Sequence, residues 1–180
     1  MFPRPSGALR GLAQMGVFEY SIDTMKTTPP THTEILIREA APQDAGTIVT
    51  LIRQLAPEGG EQSPVNETFV LHYLSGINRK ILLAQRGEKV EGLLSYSVRP
   101  DLFHAGNSVL IEELVVDEGS RGAGIGSALI SALLERLPGL DPREVCLAVM
   151  PDNDRAIRFY RKHGFVEEAL FLERHFASKG

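Results

Sequence analysis

The sequence predicts an α/β (α+β) domain with one mixed, mostly antiparallel, twisted sheet of six to seven strands and helices on both faces. The order of alternating and helix-periodic apolar segments is β α α β β β α β α β(β). Three strands in close succession favour antiparallel pairing, and the strand–helix–strand succession over 109–149 requires one parallel crossover. A chain of 180 residues, 43% of them apolar, is long enough for one such domain with its own core.

Residues 1–33 differ from the rest of the chain. Proline, glycine and a Thr/Pro cluster at 27–31 break any regular apolar period there. We therefore expect 1–33 to form a disordered N-terminal extension and 34–180 to form the folded domain.

The first half of the domain is predicted from apolar spacing. Pro42 and Asp44 signal a helix start, and the apolar residues that follow have helical spacing. Gly87 lies in a short hairpin turn between two apolar runs. The predicted elements are a strand at 35–40, helices from 42 and at 66–75, and strands at 81–85, 90–98 and 109–116, with loops at 57–64 and 99–107.

The second half continues with alternating helices and strands. Asn153 is a natural helix N-cap, and Gly164 lies where a helix C-terminal glycine is expected. The predicted elements are helices at 127–137 and 153–163, a strand at 144–149, and one or two final strands within 165–176.

A glycine-rich turn joins the 109–116 strand to the helix that follows it. Gly122, Gly124 and Gly126 remove Cβ atoms where the backbone approaches a ligand or takes positive φ, and Arg121 adds positive charge. Free N–H groups at a helix start favour a phosphate or pyrophosphate. Glycine turns also occur without a ligand, so a second motif is needed to decide.

That second motif begins at Asn153 and contains Ala156, Phe159, Tyr160, Gly164 and Phe165. Asn153 and Tyr160 lie on one helix face, two turns or roughly 10 Å apart, so the helix can contact an extended ligand at two points. The pattern R-G-x-G-I-G, followed about 30 residues later by N-x-x-A-x-x-F-Y-x-x-x-G-F, resembles the GNAT N-acetyltransferase superfamily.

The resemblance implies a GNAT domain with splayed central strands and acetyl-CoA as co-substrate, without a metal. It implies a β-bulge in the strand before the glycine turn, where exposed backbone pairs with the pantetheine arm. The coenzyme-binding residues would then be Leu114, Val115, Val116, Arg121, Gly122, Ala123, Gly124, Ile125, Gly126, Ser127, Asn153 and Tyr160.

Three side chains are candidates for catalysis. By resemblance, Tyr160 is the general acid that protonates the leaving thiolate, although a packing aromatic is the alternative. A base would be Glu112 or Glu113, with Glu112 favoured and a pair of edge-facing charges as the alternative. Because adjacent strand residues point to opposite faces, we expect at most one of them to face the acetyl group.

The acceptor is predicted to be a small primary amine, such as a polyamine, an aminoalkyl compound or an amino-acid-like compound. The two predicted loops carry Glu58, Glu61 and Asp101, which suit a cation, and Arg99 and His104, which suit an anionic substituent. Solvated loop charges are the plain alternative. A protein or peptide amine is the second choice, and a non-catalytic acetyl-CoA sensor is the third.

Composition excludes several other classes. A net charge of −4 gives no nucleic-acid footprint, and the five histidines show no metal-ligand spacing. The single cysteine excludes an internal disulfide, and no apolar run approaches about 20 residues. We expect a cytoplasmic enzyme that does not bind membranes. The apolar segment 167–176 could support a homodimer or form the last core strand.

Overall fold

The computed structural model describes residues 34–56 and 62–174, so the N-terminal extension predicted for 1–33 lies outside the described residues. The strands are β1 Leu36–Glu39, β2 Arg79–Arg86, β3 Lys89–Asp101, β4 Gly106–Val116 and β5 Pro142–Leu147. The helices are α1 Ala45–Arg53, α2 Glu67–Leu74, α3 Ile125–Arg136 and α4 Asp154–Lys162, with short 3-10 turns at Pro42–Asp44, Glu118–Ser120 and Leu137–Leu140.

The described strands form one sheet in the order β1-β2-β3-β4-β5. All neighbouring pairs are antiparallel except β4 and β5, which are parallel and are joined by α3. The predicted mixed, mostly antiparallel sheet with one parallel crossover is confirmed.

Helices cover both faces of the sheet, because the apolar side chains of the central strands alternate between two cores. Leu82 and Leu94 belong to the core beneath α3, against which Tyr160 of α4 also packs. Leu83 and Leu93 belong to the core beneath α1 and α2. The sheet itself lies between these two cores.

Asparagine side chains cap the N-termini of α2 and α4, and the cap of α4 by Asn153 is the one predicted. The side chain of Asn66 accepts a hydrogen bond from the N–H of Phe69 at 2.9 Å, and Asn153 accepts one from Ala156 at 3.0 Å. Each cap satisfies one backbone donor that the helix itself leaves unpaired.

The prediction of six to seven strands is wrong, because the described residues after α4 form no strand. The N–H of Phe165 bonds to the carbonyl of Tyr160 at 3.2 Å, and Arg161 pairs with Glu168. These contacts hold the start of the segment against α4. Leu170 and Leu172 are 85% and 82% exposed.

The predicted loop at 99–107 is also too long. Asp101 pairs with Gly106, so β3 and β4 extend into that range and only a four-residue turn, 102–105, joins them. Pro100 is paired with Asn107 within the ladder.

No described helix is both long enough and apolar enough to cross a membrane.

Candidate active site

The glycine turn forms an open cradle at the N-terminus of α3. Gly122 and Gly124 have φ values of 85° and 83°, a conformation that residues with a Cβ rarely adopt. Among the described residues, no acceptor pairs with the N–H groups of Gly122 or of residues 124–127, and the first helical bond runs from Ala128 to Gly124. Free donors of this kind, together with the helix dipole, favour an anion.

Arg121 lies at the rim of this cradle. Its Nε donates to the carbonyl of Val116 at 3.4 Å, and a terminal nitrogen lies 3.7 Å from the carboxylate of Glu118. The side chain is 43% exposed, so its charge is available to an anion in the cradle.

A β-bulge interrupts β4 at Glu112. Ser95 of β3 pairs with Glu113, and the next residue, Tyr96, pairs with Ile111, so Glu112 is the extra residue. The hydroxyl of Ser97 donates to Glu112 at 2.6 Å, and that of Ser95 donates to Glu113. Ser95 and Ser97 share one face of β3, and therefore both carboxylates lie over that face.

The expectation that Glu112 and Glu113 point to opposite faces is therefore wrong, because the bulge cancels the normal alternation. Glu112 is exposed and Glu113 is partly buried. Burial raises the pKa of Glu113, the hydrogen bond from Ser95 opposes this rise, and the negative charge of Glu112 adds to it. A carboxylate with a raised pKa beside a cavity can act as a base near neutral pH.

Beyond the bulge, β4 separates from β5. Their pairing ends at Ile111 and Leu147, whereas β4 continues to Val116. The N–H of Asp117 bonds toward β3, at the carbonyl of Glu91, at 2.8 Å. Because strand residues alternate in direction, Leu114 and Val116 turn their backbone groups into the gap between β4 and β5.

Helix α4 borders the cradle and the gap. A Cβ on Gly126 would lie 3.2 Å from the ring of Phe159, so this glycine permits close contact between α3 and α4. The hydroxyl of Ser127 and Nε2 of His163 are 3.1 Å apart. The two motifs predicted from the sequence are thus neighbours in space.

Tyr160 packs on the α3 side of the sheet. Its ring makes edge contacts with Phe159 and Phe165, with centroids 5.2 and 5.9 Å away. Burial raises the pKa of its phenol, which therefore stays protonated at neutral pH. Glu113 lies on the other side of the sheet, so the gap beyond the bulge separates the acid candidate from the base candidate.

A cavity of about 160 Å³ opens on the Glu113 side. Tyr73 of α2 lines it together with Ser95, and neither these residues nor Ser97 was predicted as a site residue. The signal for the serines was present, since Ser95 and Ser97 alternate with apolar and aromatic residues over 93–98. Tyr73 gave no such signal, because it follows the apolar spacing of α2.

The predicted acceptor loops are only partly at this site. Glu58 and Glu61 lie outside the described residues, whereas Ser63 lines the cavity. Asp101 is six residues along β3 from Ser95, or roughly 20 Å in an extended strand. Arg99 and Asp101 line a second cavity, and neither they nor His104 line the cavity beside Glu113.

His104 and Asp101 instead meet Glu144 of β5 near the β3–β4 turn. Each of the three side chains has one atom that could bind a metal ion, and these three atoms lie within 4.8 Å of one another. Glu144 and His104 are exposed. The carboxylate of Asp101 already accepts a hydrogen bond from the backbone N–H of His104 at 2.9 Å. This bond, together with one from the His104 side chain, lowers the pKa of Asp101.

Comparison with known proteins agrees with this geometry. The model of the acetyltransferase (GNAT) family matches residues 47–165, which include the bulge, the glycine cradle and the helix with Tyr160. The chain belongs to this family.

Two curated relatives match shorter parts of the chain. Glucosamine 6-phosphate N-acetyltransferase of Trypanosoma brucei brucei is 34% identical over 93 residues, which cover 51% of this chain and 60% of the relative. A putative phosphinothricin acetyltransferase of Bacillus subtilis is 34% identical over 58 residues, 32% of this chain and 36% of the relative. The match thus spans less than two thirds of either relative.

Solved structures share the fold over most of the domain. A crystal structure titled as a transcriptional regulator from Bacillus halodurans has a TM-score of 0.71 and 25% identity, covering 79% of this chain and 100% of that chain. An aminoglycoside acetyltransferase from an uncultured soil sample, in complex with sisomicin, has a TM-score of 0.69 and 22% identity, covering 81% and 97%.

Proposed function

We propose that this protein transfers an acetyl group from acetyl-CoA to the primary amine of a small molecule. The observation that carries the proposal is the gap between β4 and β5. A cradle of free N–H groups lies at one end of it, with carboxylates on one side of the sheet and the partly buried phenol of Tyr160 on the other. This arrangement suits direct transfer between two substrates that meet in the gap.

Acetyl-CoA would bind along the cradle and the gap as a co-substrate. The N–H groups of Gly122 and of residues 124–127, with the charge of Arg121, suit its pyrophosphate. The backbone N–H and carbonyl of Leu114 and the N–H of Val116 suit the amides of the pantetheine arm, with Val115 between them and Asn153 at the start of α4. An N–H in the gap would also stabilise the oxyanion that forms on the thioester carbonyl.

Glu113 is the base that we propose, in place of the Glu112 favoured from the sequence. Glu113 lines the cavity, is more buried than Glu112 and has a raised pKa. It accepts a proton from the incoming ammonium, directly or through water. The free amine then forms a bond to the acetyl carbon, and Glu112 supports the negative field that attracts the cation.

Tyr160 is the proposed acid. When the tetrahedral intermediate collapses, the carbon–sulfur bond breaks and the electron pair leaves with sulfur. The phenol of Tyr160 gives its proton to that thiolate, and its buried setting keeps it protonated until then.

Two alternatives are tested by the same experiment. A protein or peptide amine needs an open groove, whereas the cavity beside Glu113 is small. A non-catalytic acetyl-CoA sensor needs the cradle but not the carboxylate and phenol.

A cytoplasmic location, which rests on the single cysteine, remains a prediction, as does a homodimer formed through the apolar segment 167–176.

The test is release of free coenzyme A thiol from acetyl-CoA with panels of small amines and of peptides. We expect turnover with small amines that is lost in the Glu113→Gln variant. Turnover with peptides alone would replace the acceptor class. Coenzyme binding without turnover for any acceptor would favour the sensor.

A further inference from the structure

The cavity beside Glu113 is small and mostly apolar. Its volume of about 160 Å³ is close to that of a cavity that holds a benzene ring. Its polar lining residues are Ser63, Tyr73, Ser95 and Glu113. Its apolar walls come from α1, α2, β2, β3 and the segment before α2, and consist of Ile48, Ile52, Val65, Phe69, Val70, Ile81 and Leu93.

The charge in the lining of this cavity is negative. Glu113 is the charged residue in it, and no Lys, Arg or His of the described residues lines the cavity. Arg79 lies near, with its guanidinium carbon 4.8 Å from the ring centroid of Tyr73, but it stacks on that ring and is not part of the lining. Residues 57–61, which are not described, contain no basic residue in the sequence.

The cavity also holds one unsatisfied polar group. The hydroxyl oxygen of Tyr73 is buried and has no hydrogen-bond partner among the described residues. Burial, with the charges of Glu113 and Glu112, raises the pKa of Tyr73 to about 12; the nearby Ser95 hydroxyl and Arg79 oppose this rise. A neutral, buried and unpaired hydroxyl is costly unless a ligand supplies its partner.

We infer that the acceptor is a primary monoamine with a compact apolar body of about six carbons, which fills this cavity and places its ammonium between Glu113 and the Tyr73 hydroxyl. This inference rests on the proposed function and names its substrate class. It excludes acceptors that carry an anionic group, because their phosphate or carboxylate would be buried beside the negative charge of Glu113 without a cation. Glucosamine 6-phosphate is an acceptor of that excluded kind.

The first experiment measures kcat/KM for thiol release with unbranched alkylamines from two to ten carbons. We expect a rise of about fourfold per methylene up to about six carbons, followed by a plateau or fall. 6-Aminohexanoate is the matched anionic counterpart of hexylamine. We expect its kcat/KM to be lower than that of hexylamine by a factor of at least about 100.

The outcomes separate the two proposals. Equal or better transfer to 6-aminohexanoate or glucosamine 6-phosphate would overturn the inference and leave the acetyltransferase proposal standing. Transfer to peptides alone would also overturn it. No transfer to any amine, while calorimetry shows bound acetyl-CoA, would overturn the proposed function and the inference together.

Two variants test the cavity itself. Ile52→Ala enlarges it, so the best chain length is expected to rise by two to three carbons. Ile37→Ala is the matched control, since Ile37 packs against the core on the opposite side of the sheet. An equal shift in both variants, or no shift in Ile52→Ala, would contradict the assigned cavity.

Tyr73→Phe removes the unsatisfied hydroxyl and keeps the ring. We expect KM for hexylamine to rise about five- to tenfold with kcat nearly unchanged, and the free energy of unfolding to stay the same or increase. Tyr96→Phe is the control, because Tyr96 is buried in the other core. An unchanged KM in Tyr73→Phe would contradict the placement of the ammonium.

Discussion

Glu112 and Glu113 are adjacent in β4, yet both carboxylates lie on the same face of the sheet, each hydrogen-bonded to a serine of β3. The bulge that produces this arrangement lies just after the last paired residues of β4 and β5. One irregularity therefore places two negative charges beside the opening in the sheet.

The acid limb of the pH–rate profile tests the base. Glu113 must be ionised to accept a proton, and its pKa is raised by burial, so activity is expected to fall as the pH drops through that raised value. Glu113→Gln should lower kcat about 100- to 1000-fold and remove this limb. The measurement is kcat/KM against pH with a small amine.

Glu112→Gln should lower kcat/KM less than Glu113→Gln and keep the acid limb. Glu144→Gln, at an exposed position of β5, serves as the control and should leave the profile unchanged. A Glu113→Gln enzyme with a wild-type acid limb would exclude this residue as the base.

Tyr160 is tested by removing only its hydroxyl. Tyr160→Phe keeps the ring contacts with Phe159 and Phe165, so acetyl-CoA should bind with the same Kd. The loss of the proton donor should lower kcat roughly 100-fold. Pre-steady-state thiol release is the measurement, and an unchanged kcat would mean that the ring acts through packing alone.

The ion pair of Arg38 and Asp44 gives a stability prediction with a defined pH dependence. Two hydrogen bonds of 2.8 Å join the side chains, and the N–H of Ala41 donates a third to the carboxylate. The bond from Arg38 is the main cause that lowers the pKa of Asp44 in the folded protein. The stabilisation is thus complete above the ordinary pKa and is lost as pH falls through the lowered value.

Asp44→Asn should therefore reduce the free energy of unfolding by about 2 kcal/mol at pH 7, measured in urea. The difference from wild type should disappear at low pH. Glu39→Gln is the control, because its exposed pair with Lys80, at 3.2 Å, should contribute less than about 0.5 kcal/mol. A pH-independent loss in Asp44→Asn would indicate packing as the cause.

Local signals predicted most of the fold. Apolar spacing, Asn153 and the glycine turn located the helix starts within three residues and the parallel crossover correctly. The final strands were predicted from apolar residues such as Leu170 and Phe171, but strand formation needs a partner edge, and contacts with α4 hold the start of that segment elsewhere.

The site was predicted less completely than the fold. The glycine cradle and Tyr160 form contiguous motifs, so their residues were named from the sequence. The shared face of Glu112 and Glu113 depends on the register of β3 against β4, which no single-strand pattern contains. Tyr73 enters the cavity from another helix, and its spacing matches that of an ordinary core residue.

The most direct test of the central claim is calorimetric titration of acetyl-CoA into the wild type and into Gly124→Ala. Gly124 has φ 83°, where a residue with a Cβ has a conformational free energy about 1–2 kcal/mol higher, so alanine distorts the cradle. Acetyl-CoA should therefore bind the wild type, and it should bind the variant about tenfold more weakly. Gly139→Ala is the matched control, with open space around its Cβ and no positive φ, and should bind like wild type. A folded wild-type protein that does not bind acetyl-CoA, or equal affinity in all three proteins, would contradict the account.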